Sequence, residues 1–207
     1  MKNNPVLIVI VGRKRAGKDT IADMLKATAT ARVVHVALAR AMKLLVAEQL
    51  GMPVERLEEL KNDQSINVSP YGDATVRKML EVIGQRMKDM TDDDLFWCRV
   101  LARDIDLTKC DHIISDIRFP FEEAFFRKLA ELAGVDFLSI KVERDGIEKG
   151  THESEIYVDD IVTDITLQNN GTIDDLRENL ALTLTQFVRK KEGEQSEENK
   201  NSCIITI

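Results

Sequence analysis

Residues 6–20, VLIVIVGRKRAGKDT, constrain the fold of this chain more than any other stretch. The six apolar and mostly β-branched residues Val6–Val11 predict a short strand that is buried on both faces, as in a parallel sheet. Gly12 ends the run, and Gly17 and Lys18 follow after four intervening residues, as in the phosphate-binding pattern G-x-x-x-x-G-K-[ST]. The residues after the loop have a helical pattern, which completes the strand–loop–helix context that this motif requires.

The composition of this loop predicts that it binds a polyphosphate. Gly12 and Gly17 let the backbone approach phosphate oxygens, and the start of the helix adds the positive end of its dipole. Lys18 is expected to bridge the terminal phosphates. The alternative is a glycine-containing turn beside a solvated basic cluster. The predicted phosphate-binding residues are Gly12, Lys14, Arg15, Ala16, Gly17, Lys18, Asp19 and Thr20.

The loop departs from the motif at Asp19, which stands where Ser or Thr is expected. A carboxylate there would bind Mg²⁺ directly or through water, or Thr20 could supply the hydroxyl instead. Asp116 ends the third predicted strand and is placed like the acid that orients magnesium-bound water in phosphate-loop enzymes. Its alternative role is that of a turn or helix-cap aspartate. These three residues are the predicted metal ligands.

The composition of the whole chain limits its class. Its 207 residues predict one domain with a substantial core. A net charge of −7 argues against a nucleic-acid binder that relies on overall positive charge, whereas a locally basic pocket fits a small phosphorylated ligand. The three cysteines are far apart and predict reduced thiols. With no secretory signal and no membrane-span pattern, a cytoplasmic protein is expected.

Strand and helix patterns alternate along the chain with short connections. This order predicts an α/β fold with three layers, in which helices flank a mainly parallel five-stranded sheet. Strands are predicted at 6–11, 32–38, 111–116, 135–142 and 164–167, and helices at 18–28, 39–50, 54–61, 76–90, about 91–105, 122–133 and 172–191. Residues 192–202 are charged and poor in apolar residues, so a disordered or extended segment is predicted there.

Several polar residues follow the predicted strands, and ligands of parallel sheets bind at the carboxyl ends of the strands. Phosphoryl transfer between two anionic substrates needs charge neutralisation there, from Mg²⁺ and several cations. Lys43 follows the second strand, and Arg118 follows the third. Arg118 could bind a phosphate in a bidentate manner or could pair with Glu122 or Glu123.

Three further residues are candidates for contacts with a second substrate. Arg77 could bind its phosphate, or it could be a solvated helix arginine. Trp97, the single tryptophan, offers a flat face for a base, although a lone tryptophan on a helix is commonly a core residue. Glu155 lies with His152 and Ser154 in a polar segment where a closing lid is expected, or where plain loop residues would also fit.

Four segments of the sequence are informative together: GRKRAGKDT, VRKMLEVIGQRM followed by Phe96-Trp97, SDIRFPFEEA, and THESE followed by LQNNGT. They resemble the deoxynucleoside monophosphate kinases of bacteriophages. The resemblance extends from about Val6 to about Leu184 and is most specific in the phosphate loop. After the second strand, related kinases often carry a small residue and a proline before a lysine, whereas residues 39–43 here keep the lysine without the proline.

The resemblance implies an adenylate-kinase-like P-loop NTPase fold, ATP and Mg²⁺, and γ-phosphoryl transfer to a deoxynucleoside monophosphate for nucleotide supply in phage DNA synthesis. It also implies a possible homodimer, and small-molecule nucleotides in place of nucleic acid or membrane as partners. The implied roles are transition-state stabilisation by Lys18 and Arg15, metal binding by Asp19 or Thr20 with Asp116, acceptor binding by Lys43, Arg77, Arg118 and Glu155, and a base pocket lined by Trp97.

The domain organisation expected from this resemblance is a kinase domain over residues 1–191. Residues 39–110 would form its helical monophosphate-binding part, residues 144–160 a lid-like segment, and residues 192–207 an acidic tail with an apolar end. Two other functions stay open. One is another small-molecule kinase, of the dephospho-coenzyme A or phosphomevalonate type, and the other is a non-catalytic ATP-binding switch.

Overall fold

The computed structural model describes residues 4–61, 63, 74–147 and 156–202, with side chains as far as Val188. Its centre is a five-stranded sheet in which every strand pairing is parallel, in the order β2-β3-β1-β4-β5. The predicted α/β fold of the P-loop type is therefore confirmed. The strands are β1 (Val6–Val11), β2 (Val33–Val36), β3 (Asp111–Ile117), β4 (Asp136–Glu143) and β5 (Ile165–Gln168).

Helices cover both faces of this sheet, and four of them lie between β2 and β3. A short 3₁₀ turn, Tyr157–Asp160, precedes β5. The helices are α1 (Lys18–Thr28), α2 (Arg40–Gln49), α3 (Val54–Leu60), α4 (Val76–Thr91), α5 (Phe96–Asp104), α6 (Pro120–Ala133) and α7 (Ile173–Ser202).

Strand β1 is the central strand, and its side chains alternate between two cores. Leu7 and Val9 pack with Phe126 of α6 on one face. Ile10 packs with Ile21 of α1 on the other face, and all five of these side chains are fully buried. Two-sided burial explains why β1 is a continuous apolar run without polar alternation. It also fixes the phosphate loop at the carboxyl end of the best-buried strand.

The helices between β2 and β3 have a small core of their own. Val46 and Leu57 are fully buried there with Val76, and Leu80 completes the cluster. This core holds α2, α3 and α4 together beside the sheet, so that side chains on them face the carboxyl ends of the strands. Within the described residues, none of the helices is long and apolar enough to cross a membrane.

Two predicted boundaries were wrong. Thr91 does not begin a helix but ends α4, because Asp92 takes a left-handed backbone conformation with φ 51° and stops the helix there. The backbone of 192–202, predicted to be disordered or extended, continues α7 to Ser202. A shortage of apolar residues argues against packing, whereas Glu, Lys and Gln are good helix formers without any packing.

Candidate active site

The loop between β1 and α1 is built around two glycines that no other residue could replace without strain. Gly17 has φ 106°, and a Cβ atom there would lie 2.4 Å from Nδ2 of Asn169. A Cβ atom on Gly12, at φ 155°, would lie 2.6 Å from the carbonyl oxygen of Val142. Both contacts are shorter than non-bonded atoms tolerate. The glycines thus let the loop pass close to the ends of β4 and β5.

Lys18 lies inside this loop. Its ammonium group donates to the carbonyl oxygens of Gly12 and Arg13, each at 2.8 Å, and the residue is 8% exposed. A buried lysine without polar partners would be strongly destabilising, and these two carbonyls supply partners. The loop therefore holds a cation within itself, next to the backbone that the sequence predicts to bind phosphate.

Asn169 supports the loop from the end of β5. Its side-chain amide donates to the carbonyl oxygen of Ala16 at 2.8 Å, and its own backbone N–H donates to Glu143 at 2.7 Å. Asn169 is 8% exposed, so this contact is shielded from water. It fixes the direction of the peptide group that precedes Gly17. The sequence indicated only that Asn169 follows the last strand.

The cations of the loop separate into two groups. Arg13 turns away from the cavity described below and pairs with the carboxylate of Asp159, whose oxygens lie 2.6 and 2.5 Å from its Nη2. Lys141 donates to the backbone carbonyl of Asp159 at 3.0 Å and so fixes the same turn. Lys14 and Arg15 line the cavity instead. Arg13 therefore ties the loop to the 3₁₀ turn before β5.

The predicted metal ligands are oxygen donors of the kind that Mg²⁺ prefers. Asp19 lies in the first turn of α1, directly before Thr20, and Asp116 lies near the end of β3. Ser115 donates to Asp19 over a long 3.5 Å and also contacts the ring nitrogen Nε2 of His35 at 2.7 Å. His35 is thus a packed histidine with a hydrogen-bond partner.

These ligands suit a metal that is shared with a substrate. The described residues contain no cluster of three or more acidic, histidine or cysteine side chains able to enclose an ion by themselves. Mg²⁺ usually keeps several waters and takes one or two carboxylates together with substrate phosphates. By the chemistry of their oxygen atoms, Asp19, Thr20 and Asp116 would suit a Mg²⁺ ion that is completed by phosphate and water.

A cavity of about 1230 Å³ opens beside the loop and carries most of the predicted substrate contacts. Its charged lining is strongly basic, although the chain as a whole carries a net charge of −7. Such a cavity selects an anionic ligand of small-molecule size. Its basic residues are Lys14, Arg15, Lys43, Lys61, Arg77, Lys78, Lys88 and Arg118, and its acidic residues are Glu81, Asp116 and Glu122.

Lys43 and Lys61 form one charged group of the cavity. Glu58 of α3 pairs with Lys43 at 2.5 Å and with Lys61 at 3.7 Å. Burial lowers the pKa of Lys61 and the charge of Lys43 lowers it further, whereas Glu58 and Asp116 raise it. Arg77 also acts on this amine. No sequence pattern indicated Lys61 as a site residue, because it follows a short charged helix without any motif.

Glu122 lies in a second charged group. Its Oε2 accepts hydrogen bonds from the backbone N–H groups of Arg118 at 2.9 Å and Phe119 at 3.2 Å. Burial raises the pKa of this carboxyl, while those hydrogen bonds and the charge of Lys88 lower it. The ammonium of Lys88 lies 5.1 Å from the ring centroid of Phe119. Of the two acidic partners considered for Arg118, Glu122 contacts its backbone N–H. The other, Glu123, pairs with Arg127 instead.

Trp97 belongs to the wall of the cavity and to the core at the same time. It is 6% exposed, packs edge-on against Phe96, and donates its indole N–H to the carbonyl oxygen of Gly84 at 3.0 Å. Gly84 faces α2, and a Cβ atom on Gly84 would lie 3.1 Å from the sulfur of Met42 in that helix. The indole is therefore a fixed wall and offers little open face for stacking.

The structure brings most of the predicted site residues to one place. Lys14, Arg15, Lys43, Arg77, Trp97, Asp116 and Arg118 line the cavity together. Gly12, Ala16 and Gly17 belong to the adjoining loop, and Lys18, Asp19 and Thr20 begin α1. Glu155, with His152 and Ser154, lies outside the described residues. The site also contains residues that no sequence pattern singled out, among them Lys61, Lys88, Ser115 and Glu122.

The fold and the loop define a P-loop α/β protein. No protein-family model matches this chain, and no curated protein matches it. Among solved structures it is similar to a gluconokinase from Sinorhizobium meliloti, with 10% identity, a TM-score of 0.49 and coverage of 93% of this chain and 99% of that chain.

Two other kinases are similar to a comparable degree. An APS kinase from Mycobacterium tuberculosis has 13% identity and a TM-score of 0.44 over 88% of this chain and 99% of that chain. A thymidylate kinase from Candida albicans has 14% identity and a TM-score of 0.44 over 93% of this chain and 94% of that chain. No substrate follows from likenesses this remote.

Proposed function

We propose that this protein is an ATP-dependent kinase that transfers the γ-phosphoryl group to (deoxy)nucleoside monophosphates. The observation that carries the proposal is that the phosphate loop and a second set of cations share one cavity. Lys14 and Arg15 of the loop line it, and so do Arg77 and Arg118 from other elements. A protein that binds ATP merely as a switch needs no second anion-binding pocket beside the loop.

The proposed roles follow from charge and position. The loop backbone and Lys18 bind the β- and γ-phosphates of ATP, and Arg15 neutralises charge on the transferring group. Arg77, Arg118 and Lys43 bind the acceptor phosphate, one oxygen of which attacks the γ-phosphorus as the bond to ADP breaks. Positioning of two anions accounts for most of the catalysis in such a reaction.

Asp19 or Thr20, with Asp116, would hold the Mg²⁺ ion. The ion supplies charge neutralisation on the phosphates when it is bound. The loop has further cations of its own, in Lys14 and Arg15, and these offset the negative charge of Asp19. The resemblance of the sequence to the bacteriophage kinases supports a deoxynucleotide as acceptor and a role in nucleotide supply for phage DNA synthesis.

A turnover assay tests the proposal. Purified protein is incubated with ATP, Mg²⁺ and a panel of nucleoside and deoxynucleoside monophosphates, and ADP production is followed. We expect turnover with at least one deoxynucleotide. Turnover with dephospho-coenzyme A or phosphomevalonate and with none of the nucleotides would refute the proposed acceptor, and no turnover with any acceptor would favour a switch.

Lys18→Ala is the variant that tests the loop within the same assay. We expect it to abolish turnover while its circular dichroism spectrum stays like that of the wild type. A rate close to that of the wild type would refute the assignment of the active site. Light scattering of the same preparation tests the homodimer implied by the resemblance, which a purely monomeric mass would exclude.

A further inference from the structure

Glu122 is a carboxylate in a place where the proposed substrates need cations. It lines the same cavity as the basic residues, yet it is 6% exposed and carries an acidic group. Carboxylates are seldom buried to this degree unless they are paired. At the phosphate end of an acceptor it would repel the ligand. Its position therefore calls for a part of the ligand that donates hydrogen bonds.

The contacts of Glu122 leave one oxygen for such a part. Both backbone donors, Arg118 and Phe119, bind Oε2, which holds this oxygen at the start of α6. None of the residues that the structure describes donates a hydrogen bond to Oε1. Helix capping accounts for Oε2 alone, so Oε1 is the oxygen available to a ligand in the cavity.

The surroundings of Glu122 differ from those of the phosphate-binding cations. Lys43 and Lys61 both pair with Glu58, and the charges of Arg77 and Asp116 act on the amine of Lys61. The charge of Arg118 also reaches Glu122, but the larger effect of a charge on this carboxyl comes from Lys88, whose ammonium lies over the ring of Phe119. The remaining wall of the cavity is largely apolar, with Leu38, Met42, Leu80 and Trp97 among its residues.

We propose that Glu122 recognises the nucleobase of the acceptor, by accepting a hydrogen bond on Oε1 from an N–H group at the edge of the base. A base presents a planar apolar body and polar edges, which suits an apolar wall with one carboxylate in it. The ammonium of Lys88 is a donor for a base carbonyl or ring nitrogen beside that N–H. This inference rests on the proposed function and makes Glu122 its specificity-determining residue.

Glu122→Gln reverses the polarity of this contact without removing the cap. The amide oxygen must face the N–H groups of Arg118 and Phe119, because the amide NH₂ would meet them donor against donor. The NH₂ group therefore takes the place of Oε1, and a hydrogen-bond donor replaces the acceptor in the cavity. Glu123→Gln is the matched control, since Glu123 is also 6% exposed but pairs with Arg127.

Ligand binding is measured without ATP by the fluorescence of Trp97, which is the single tryptophan of the chain and lines the cavity. The ligands are the four common deoxynucleoside monophosphates and deoxyribose 5-phosphate, which has no base. We expect the wild type to bind its preferred nucleotide at least about tenfold more tightly than deoxyribose 5-phosphate. Glu122→Gln should weaken that nucleotide by about tenfold, as expected for a mispaired buried hydrogen bond, and leave deoxyribose 5-phosphate within about twofold.

These measurements distinguish failure of the proposed role of Glu122 from failure of the proposed kinase function. Equal weakening of the nucleotide and of deoxyribose 5-phosphate, or an equal effect of Glu123→Gln, would leave Glu122 as a helix cap and refute the inference. The proposed kinase would stand in that case if turnover with nucleotides is observed. Wild-type protein that neither binds nor phosphorylates any nucleoside monophosphate would refute both. If Glu122→Gln does not fold, the wild type alone still overturns the inference when it binds deoxyribose 5-phosphate as tightly as each nucleotide, because the base is then not recognised.

Discussion

Replacing Asn169 by alanine tests whether the phosphate loop is held from the far end of the sheet. In the wild type the Asn169 side chain donates to the carbonyl oxygen of Ala16 at 2.8 Å in a site that is 8% exposed. Alanine removes the donor and leaves that carbonyl without its side-chain partner. Because the peptide group after Ala16 then loses its fixed direction, the loop should also bind phosphate less well.

The expected loss of stability follows from the burial of this contact. A buried polar group left without its partner costs about 1–3 kcal/mol. For a domain of this length, each kcal/mol corresponds to about 2–4 °C in Tm, so Asn169→Ala should lower Tm by about 2–12 °C. A matched control is Asn170→Ala, because Asn170 is exposed and bonds only to Asp145 among the described residues. We expect that variant to change stability by at most about 0.5 kcal/mol.

The assay is thermal unfolding followed by circular dichroism, first without nucleotide and then over a series of ATP concentrations. Bound ligand stabilises the folded protein by RT ln(1 + L/Kd), where L is the free ligand concentration, so the rise of Tm with ATP concentration reports how well the loop binds phosphate. We expect Asn169→Ala to show both a lower Tm and a smaller gain with ATP. Equal Tm values for the two variants, or an undiminished gain for Asn169→Ala, would refute the supporting role of Asn169.

Two further predictions concern the loop and the cavity. Gly17→Ala places a Cβ atom 2.4 Å from Nδ2 of Asn169, on a backbone with φ 106°. In urea unfolding it should lower the free energy of unfolding by about 1–3 kcal/mol or more. Adding Asn169→Ala should recover part of that loss, because it removes the clashing atom. Additive effects of the two changes would contradict the predicted clash. Burial and the charge of Lys43 lower the pKa of Lys61 in the folded protein below its ordinary value of 10.5. Between the folded-state pKa and 10.5 the unfolded chain therefore binds more protons than the folded protein, so the free energy of unfolding rises with pH in that range. Lys61→Met should therefore raise Tm at pH values below the folded-state pKa, and this gain should disappear as the pH approaches 10.5. The same variant should raise KM for the acceptor. A Tm difference that does not change with pH would contradict the lowered pKa.

The local parts of this protein could be predicted because each depends on residues that are close in sequence. The run Val6–Val11 and the spacing from Gly12 to Lys18 predicted a buried strand and its loop, and the structure has both the strand and a left-handed conformation at Gly17. The alternation of elements likewise predicted the parallel sheet. The prediction for 192–202 was wrong because low hydrophobicity argues against packing, whereas Glu, Lys and Gln favour a helix on their own.

The contacts that complete the site join residues far apart in the chain, and no local pattern indicates them. Asn169 meets Ala16 across 153 positions because β5 and β1 end at the same edge of the sheet. The packing of α2, α3 and α4 on a core of their own brings Lys61 to the same cavity as Arg118. The sequence by itself thus determined that a phosphate loop exists and where it begins, since those depend on spacing alone. Only the tertiary structure decided which side chains surround it, because that depends on the strand order and on helices packed far from the loop in sequence.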